Sequence, residues 1–123
     1  MIHGRNPTAD ERRFMDRMGK LPCIACLCHG QNSPEISLHH IKGRTIENAH
    51  KFILPLCNYH HQSAAPEHIR AKYPWMVPVH ACGSVGGKNA FEAENGSQEF
   101  LLELCLEVIK KVEAGTVCFT LAA

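Results

Sequence analysis

A small α+β domain closed around a zinc ion is the fold class this sequence predicts, and three observations predict it. Cys23-Ile24-Ala25-Cys26 and Cys57-Asn58-Tyr59-His60 have the paired short spacing by which thiolates and an imidazole enclose one tetrahedral zinc. Two short apolar runs, at 36–41 and 52–56, lie between those pairs and have the length of strands. Residues 98–114 carry the clearest helical periodicity and follow Ser97, a favoured N-cap. At 123 residues the chain fits one domain with a modest core, which a metal cross-link would supplement.

That domain is expected over 1–123. It divides into a lead-in and helix at 1–20, a zinc knuckle and central core at 21–65, Pro/Gly-rich loops and short helices at 66–96, and a C-terminal helix and tail at 97–123. Residues 1–7 read as a loose lead-in. Thr8 and Glu11 have the spacing of a capping box, and Phe14 and Met18 recur at i, i+4. Arg12, Arg13 and Arg17 then face outward, and Gly19 ends the helix. Pro22 leads into the knuckle, 31–35 form a turn-rich loop, and Lys42 to His50 form a polar loop between the strands. Pro55 restricts the second strand to an edge or an end.

A helix is expected from Asn58 to Ala65, and a short one from Pro66 to Tyr73. Gly83, Gly86 and Gly87 mark a flexible loop, and Lys88 to Glu94 a further helix stopped by Asn95-Gly96. In the last helix Leu101, Leu104, Cys105, Val108 and Val112 form the apolar stripe, widened by Leu102, Leu106 and Ile109. Cys105 reads as core, and Cys118 in the tail has no partner spacing.

Seven cysteines is an odd number, and four of them crowd into the first half with most of the nine histidines. In a reducing cytosol that pattern favours metal ligation over a disulfide framework. No long apolar run or signal-like start occurs, so a cytoplasmic protein without a membrane partner is expected. Net charge is only +1, but its distribution is uneven. Lys42, Arg44, Lys51, Arg70, Lys72 and Lys88 outnumber the acids between residues 38 and 90, whereas glutamates dominate from residue 91 onward. A polyanion would therefore meet the middle of the chain first.

Cys23, Cys26, Cys57 and His60 make a closed Cys₃His set with no open position for chemistry. Spacing also leaves Cys28, His29 or His61 eligible, since His60 and His61 both follow Cys57 within one helical turn. His39, His40, His50 and His61 are surplus to such a site. On a strand, His39 and His40 point to opposite faces, so one can turn to a metal and the other to a water.

Cys-x-x-Cys, then His39-His40 ending a strand, then Leu56-Cys57-Asn58-Tyr59-His60-His61 on a helix resembles the HNH, or ββα-metal, endonucleases. More narrowly, Leu38 to Thr45, Ala49-His50, Leu54 to Gln62 and Gly86 to Glu92 resemble the phage Ref nucleases, recombination-enhancement proteins that act with RecA. The resemblance implies a zinc-stabilised ββα-metal core with flanking N- and C-terminal helices. It implies a phage or prophage DNA endonuclease working in the bacterial host cytoplasm, with DNA and a RecA filament as partners.

By the same resemblance His40 is the general base, and His39 and His61 hold a catalytic Mg²⁺ or Mn²⁺. His50 fills the middle HNH position, with Asn48 as its rival, and Lys42, Arg44 and Lys51 are candidate phosphate contacts. Many HNH enzymes have aspartate where this chain has His39, and the softer imidazole pair widens the range of acceptable ions. The other expectation is a non-catalytic zinc module that binds nucleic acid or a recombination protein. His80, ahead of the Gly-rich loop, stands within possible reach of the site.

Overall fold

The computed structural model describes residues 4–115 of the chain. Cys118 and the predicted tail at 116–123, like residues 1–3 of the lead-in, lie outside the described residues. The architecture is small α+β: one antiparallel two-stranded sheet and several helices.

Helix α1 (Ala9–Gly19) begins at the predicted capping box. The Thr8 amide donates to Glu11 Oε1 at 2.9 Å, and the Glu11 amide donates to Thr8 Oγ1 at 3.1 Å, so two otherwise orphaned donors are satisfied. Met18 is buried, Phe14 is half-buried, and Arg12, Arg13 and Arg17 are exposed, as the period requires. Strands β1 (Ser37–His40) and β2 (Ile53–Leu56) pair with Ser37 opposite Leu56 and His40 opposite Ile53. A two-stranded sheet has only edge strands, which is why Pro55 is admitted. All four β2 residues are buried because α1 packs against the strand and so does α6 (Gln98–Glu113).

Four expectations are corrected. Residues 4–7 are not loose: the Arg5 amide donates to the Arg44 carbonyl at 2.9 Å, and Arg5 Nε donates to the Thr45 carbonyl at 2.7 Å. The helix after Cys57, α3 (Asn58–His61), is one turn long and does not continue to Ala65. It stops where the Ser63 amide reaches back five residues to the Asn58 carbonyl at 3.0 Å, sharing it with the Gln62 amide at 2.9 Å and widening the turn so that the helix ends. The third concerns α6, whose buried line is Leu101, Cys105 and Ile109, with Leu104 and Val108 half-buried. Leu106 and Val112 are 40% and 36% exposed. One face of α6 suffices to cover β2 and α2 (Ile24–Cys28), so the predicted stripe was too wide. The fourth is the Gly-rich segment, which backbone hydrogen bonds pin against its neighbours. Cys105 is core as expected, and burial pushes its thiol up to about 12.

Helices α4 (Glu67–Lys72) and α5 (Lys88–Asn95) flank that segment, whose shape matters for the site. Gly86 has φ +82°, and a Cβ there would stand 2.4 Å from the Pro78 carbonyl oxygen, so only glycine permits the approach. The Gly87 amide then donates to that same carbonyl at 2.9 Å. Closed in this way, the loop lays Val79 and His80 along α3, their amides donating to the His60 and His61 carbonyls at 2.8 and 3.1 Å. Among the described residues no helix is long and apolar enough to cross a membrane.

Candidate metal centres and histidine cleft

Cys23 caps α2 and Cys57 caps α3, so each short pair holds its ligands across a single turn. One ligand atom from each of Cys23, Cys26, Cys57 and His60 lies within 4.8 Å of all the others. His60 Nδ1 is 3.4 Å from each of the three sulfurs, and the Cys26 and Cys57 sulfurs are 3.8 Å apart. Zinc–ligand bonds of ~2.0 to 2.3 Å give tetrahedron edges of about 3.5 to 3.8 Å, so this cluster fits the ion. His60 Nε2 donates to the Trp75 carbonyl at 2.9 Å, which leaves the Nδ1 lone pair facing the thiols.

The protonation of these four groups is strongly interdependent. Two buried thiols and the half-buried Cys57 thiol cannot all ionise without a cation. Hydrogen bonding to Cys26 and Cys57, then burial, drives the Cys23 thiol far up, whereas hydrogen bonds from Cys23 and Cys26 hold Cys57 far down. Burial opposes an imidazolium at His60, but hydrogen bonding to Cys26 and Cys57 outweighs it and pushes His60 up to about 9. Cys28 and His29 stand outside this group. Cys28 is exposed, and His29 Nε2 meets Asn95 Oδ1 at 3.0 Å while its ring stacks on Trp75 at 4.3 Å.

Asn95 thereby joins the support of the cluster. Its amide nitrogen donates at 3.1 Å both to Trp75, the carbonyl that also holds His60, and to Phe91. Replacing Asn95 by leucine removes these bonds at a buried site, and the expected loss is about 1 to 3 kcal/mol. Thermal melts should show it, together with faster zinc release to a chelating dye. Unchanged melting and release rates would remove Asn95 from this role.

The second cluster lies one residue along. The β1 pleat puts His39 on its buried side and leaves His40 half-buried on the other. His39, His61 and His80 bring ligand nitrogens within 4.8 Å of one another. Their rings are perpendicular or tilted, with centroids 4.9 to 5.3 Å apart. His39 Nε2 meets Gln98 Oε1 at 2.8 Å, and Ser37 Oγ meets His61 Nδ1 at 2.6 Å. Each of these two rings thus has one nitrogen held by a polar partner and the other left for an ion. His39 and His61 are buried and His80 is exposed, so the cluster opens to solvent on one side.

His39 is held below the usual imidazole range by burial. Burial first, then the neighbouring His39, His80, His40 and Arg44, takes His61 down to about 4. Both rings are therefore neutral near pH 7, the form that ligates metals. His40 also falls to about 4, through burial and then the charges of Arg44, His50 and His39. Its Nε2 lies 2.9 Å from His50 Nδ1, and His50 Nε2 lies 2.5 Å from the Arg5 carbonyl oxygen. Asn48, the rival of His50, sits at φ 61° ahead of the 3₁₀ turn Ala49–Lys51 and makes no capping bond.

The basic residues sort differently. The charge of Arg44 lowers both His40 and His61 and so lies near the cleft. Lys42 lies over the Phe52 ring at 4.4 Å, and Lys51 is near Glu11. Sequence reasoning left His80 out of the ligand set, and the signal that places it is the Pro78 with Gly86-Gly87 closure, which only the folded loop reveals. Gln98 and Ser37 were missed as well. A model of the family described as "Recombination enhancement, RecA-dependent nuclease" matches residues 7–110, most of the chain.

Proposed function

We propose that this chain, which belongs to the family of recombination-enhancement, RecA-dependent nucleases, hydrolyses DNA phosphodiester bonds at the cleft of His39, His40, His61 and His80, with a divalent cation. The observation that carries this reading is the three-histidine group beside a fourth, neutral imidazole that is not part of it. A closed zinc knuckle needs none of these four residues, and a hydrolytic site needs all of their functions.

His39 and His61, joined by His80, are the ligand set for the cation, which when bound stabilises charge developing on the leaving 3′ oxygen. His40 accepts the proton of the attacking water, and its low proton affinity keeps it in the base form at neutral pH. His50 orients His40. Arg44 contacts phosphate at the cleft, and Lys42 and Lys51 are further candidate phosphate contacts. Cys23, Cys26, Cys57 and His60 hold a structural zinc. Three neutral imidazoles suit Mn²⁺ or another transition ion at least as well as Mg²⁺.

In this reading residues 21–65 are an HNH, or ββα-metal, core within a single domain. The strand pair followed by the one-turn helix α3, with a histidine at the end of β1, supports it. The protein would be phage or prophage encoded and act in the bacterial host cytoplasm on DNA engaged with RecA.

The test is cleavage of single-stranded, duplex and displaced-loop DNA, with and without RecA filament, in Mg²⁺ and in Mn²⁺. Cutting that requires the cation and is stimulated by RecA is the expected result. One tightly held zinc and DNA binding with no cleavage in any ion would overturn it in favour of a non-catalytic zinc module.

A further inference from the structure

Residues 4–7, ahead of α1, reach the cleft through their backbone. His50 is buried between Arg5 and His40, and its two ring nitrogens meet one of them each, at 2.5 and 2.9 Å. A carbonyl oxygen only accepts, so the proton of the Arg5 contact belongs to His50 Nε2. In the neutral ring Nδ1 then carries the lone pair, and the proton of the second contact belongs to His40 Nε2. The strap that delivers the Arg5 carbonyl is fixed at both ends. One end is tied to the inter-strand loop by the Arg5 bonds to Arg44 and Thr45, and the other enters the Thr8–Glu11 capping box.

We infer that Arg5 is a positioning residue of the hydrolytic site: its carbonyl, acting through His50, locks His40 in the Nε2–H tautomer and leaves Nδ1 as the nitrogen that accepts the proton from water. This rests on the proposed role of His40 as general base. The competing partner is the Leu38 carbonyl, which also hydrogen-bonds the His40 ring. The side chain of Arg5 matters because it ties the strap to Thr45, while a charge at that position is not what the lock requires.

The lock can be read without cleavage. Two-bond ¹H–¹⁵N correlation spectra of the zinc-loaded full chain report the tautomer of each histidine, with His40 and His50 assigned from single-histidine variants. Both are expected as Nε2–H in the wild type. In Arg5→Ala, which removes the side-chain tie to Thr45 and keeps the backbone bond to Arg44, His40 is expected to move to an averaged or Nδ1–H pattern. The kcat is then expected to fall about tenfold with KM within about twofold, the scale of a misplaced reacting group. Arg5→Gln keeps a donor for the Thr45 carbonyl without the charge, and should restore both tautomer and kcat.

A wild-type His40 protonated on Nδ1 overturns the inference. So does an Arg5→Ala protein whose tautomers and kcat match the wild type, and so does an Arg5→Gln protein as slow as Arg5→Ala. A wild type that holds both tautomers as stated yet cuts no DNA in any ion overturns the nuclease reading instead and leaves the lock standing.

Discussion

Cys57→Ala is expected to cost the protein its fold. Cys57 supplies one thiolate of the Cys₃His cluster and caps α3, the turn that carries both His60 and His61. Structural zinc in small domains contributes an apparent ~10 to 16 kcal/mol, as large as the whole stability of a typical domain at about 5 to 15 kcal/mol. A domain that loses one of four ligands at a buried site therefore keeps little cooperative structure. Circular dichroism should show no sharp thermal transition near that of the wild type, and metal analysis should show less than one zinc per chain. A variant that retains one zinc and melts at the wild-type temperature would show that the cluster is not a structural metal site. Strong chelation of the wild-type protein should reproduce the variant.

His40→Ala is expected to do the opposite, removing activity and sparing structure. His40 is half-buried and belongs to neither ligand group, so its truncation is expected to spare the Cys₃His cluster and the hydrophobic core. Loss of a positioned general base slows a reaction by about 10² to 10⁴-fold. Single-turnover cleavage should fall by that much while the melting temperature and zinc content hold. His39→Ala provides the contrast, because its loss should appear first as weaker affinity for the catalytic ion. Undiminished cutting by His40→Ala would remove it from the base role.

Much of the fold was legible because it is locally encoded. Thr8 and Glu11, and Ser97 ahead of α6, are caps whose partners lie within one turn, and both are found where the sequence places them. The two strands follow from short apolar runs, and the Cys₃His spacing follows from ligand pairs on single turns. What escaped is non-local or has no side-chain signature. His80 joins His39 and His61 only because a glycine approaches Pro78 and the loop amides find the carbonyls of α3. Gln98 and Ser37 are common polar residues until the fold brings them to His39 and His61. The Arg5 carbonyl belongs to a peptide group that every residue has, and no pattern marks it in advance. The excess width predicted for α6 has a similar origin: periodicity finds apolar positions, and only packing decides how many of them find a surface to cover.

His60 and His61 are joined by one peptide bond, yet they face two different clusters. Because that bond is planar and their Cα atoms stand about 3.8 Å apart, neither cluster can drift relative to the other by more than the helical turn allows. The turn serves as a fixed ruler between them. Adding or deleting one residue between Cys57 and His60 rotates both histidines by about 100° around the helix axis, turning the two imidazoles away from their clusters together. Length changes are therefore expected to be tolerated only in the loops on either side, and within α3 only Asn58 and Tyr59 are free to vary in kind, while its count is fixed.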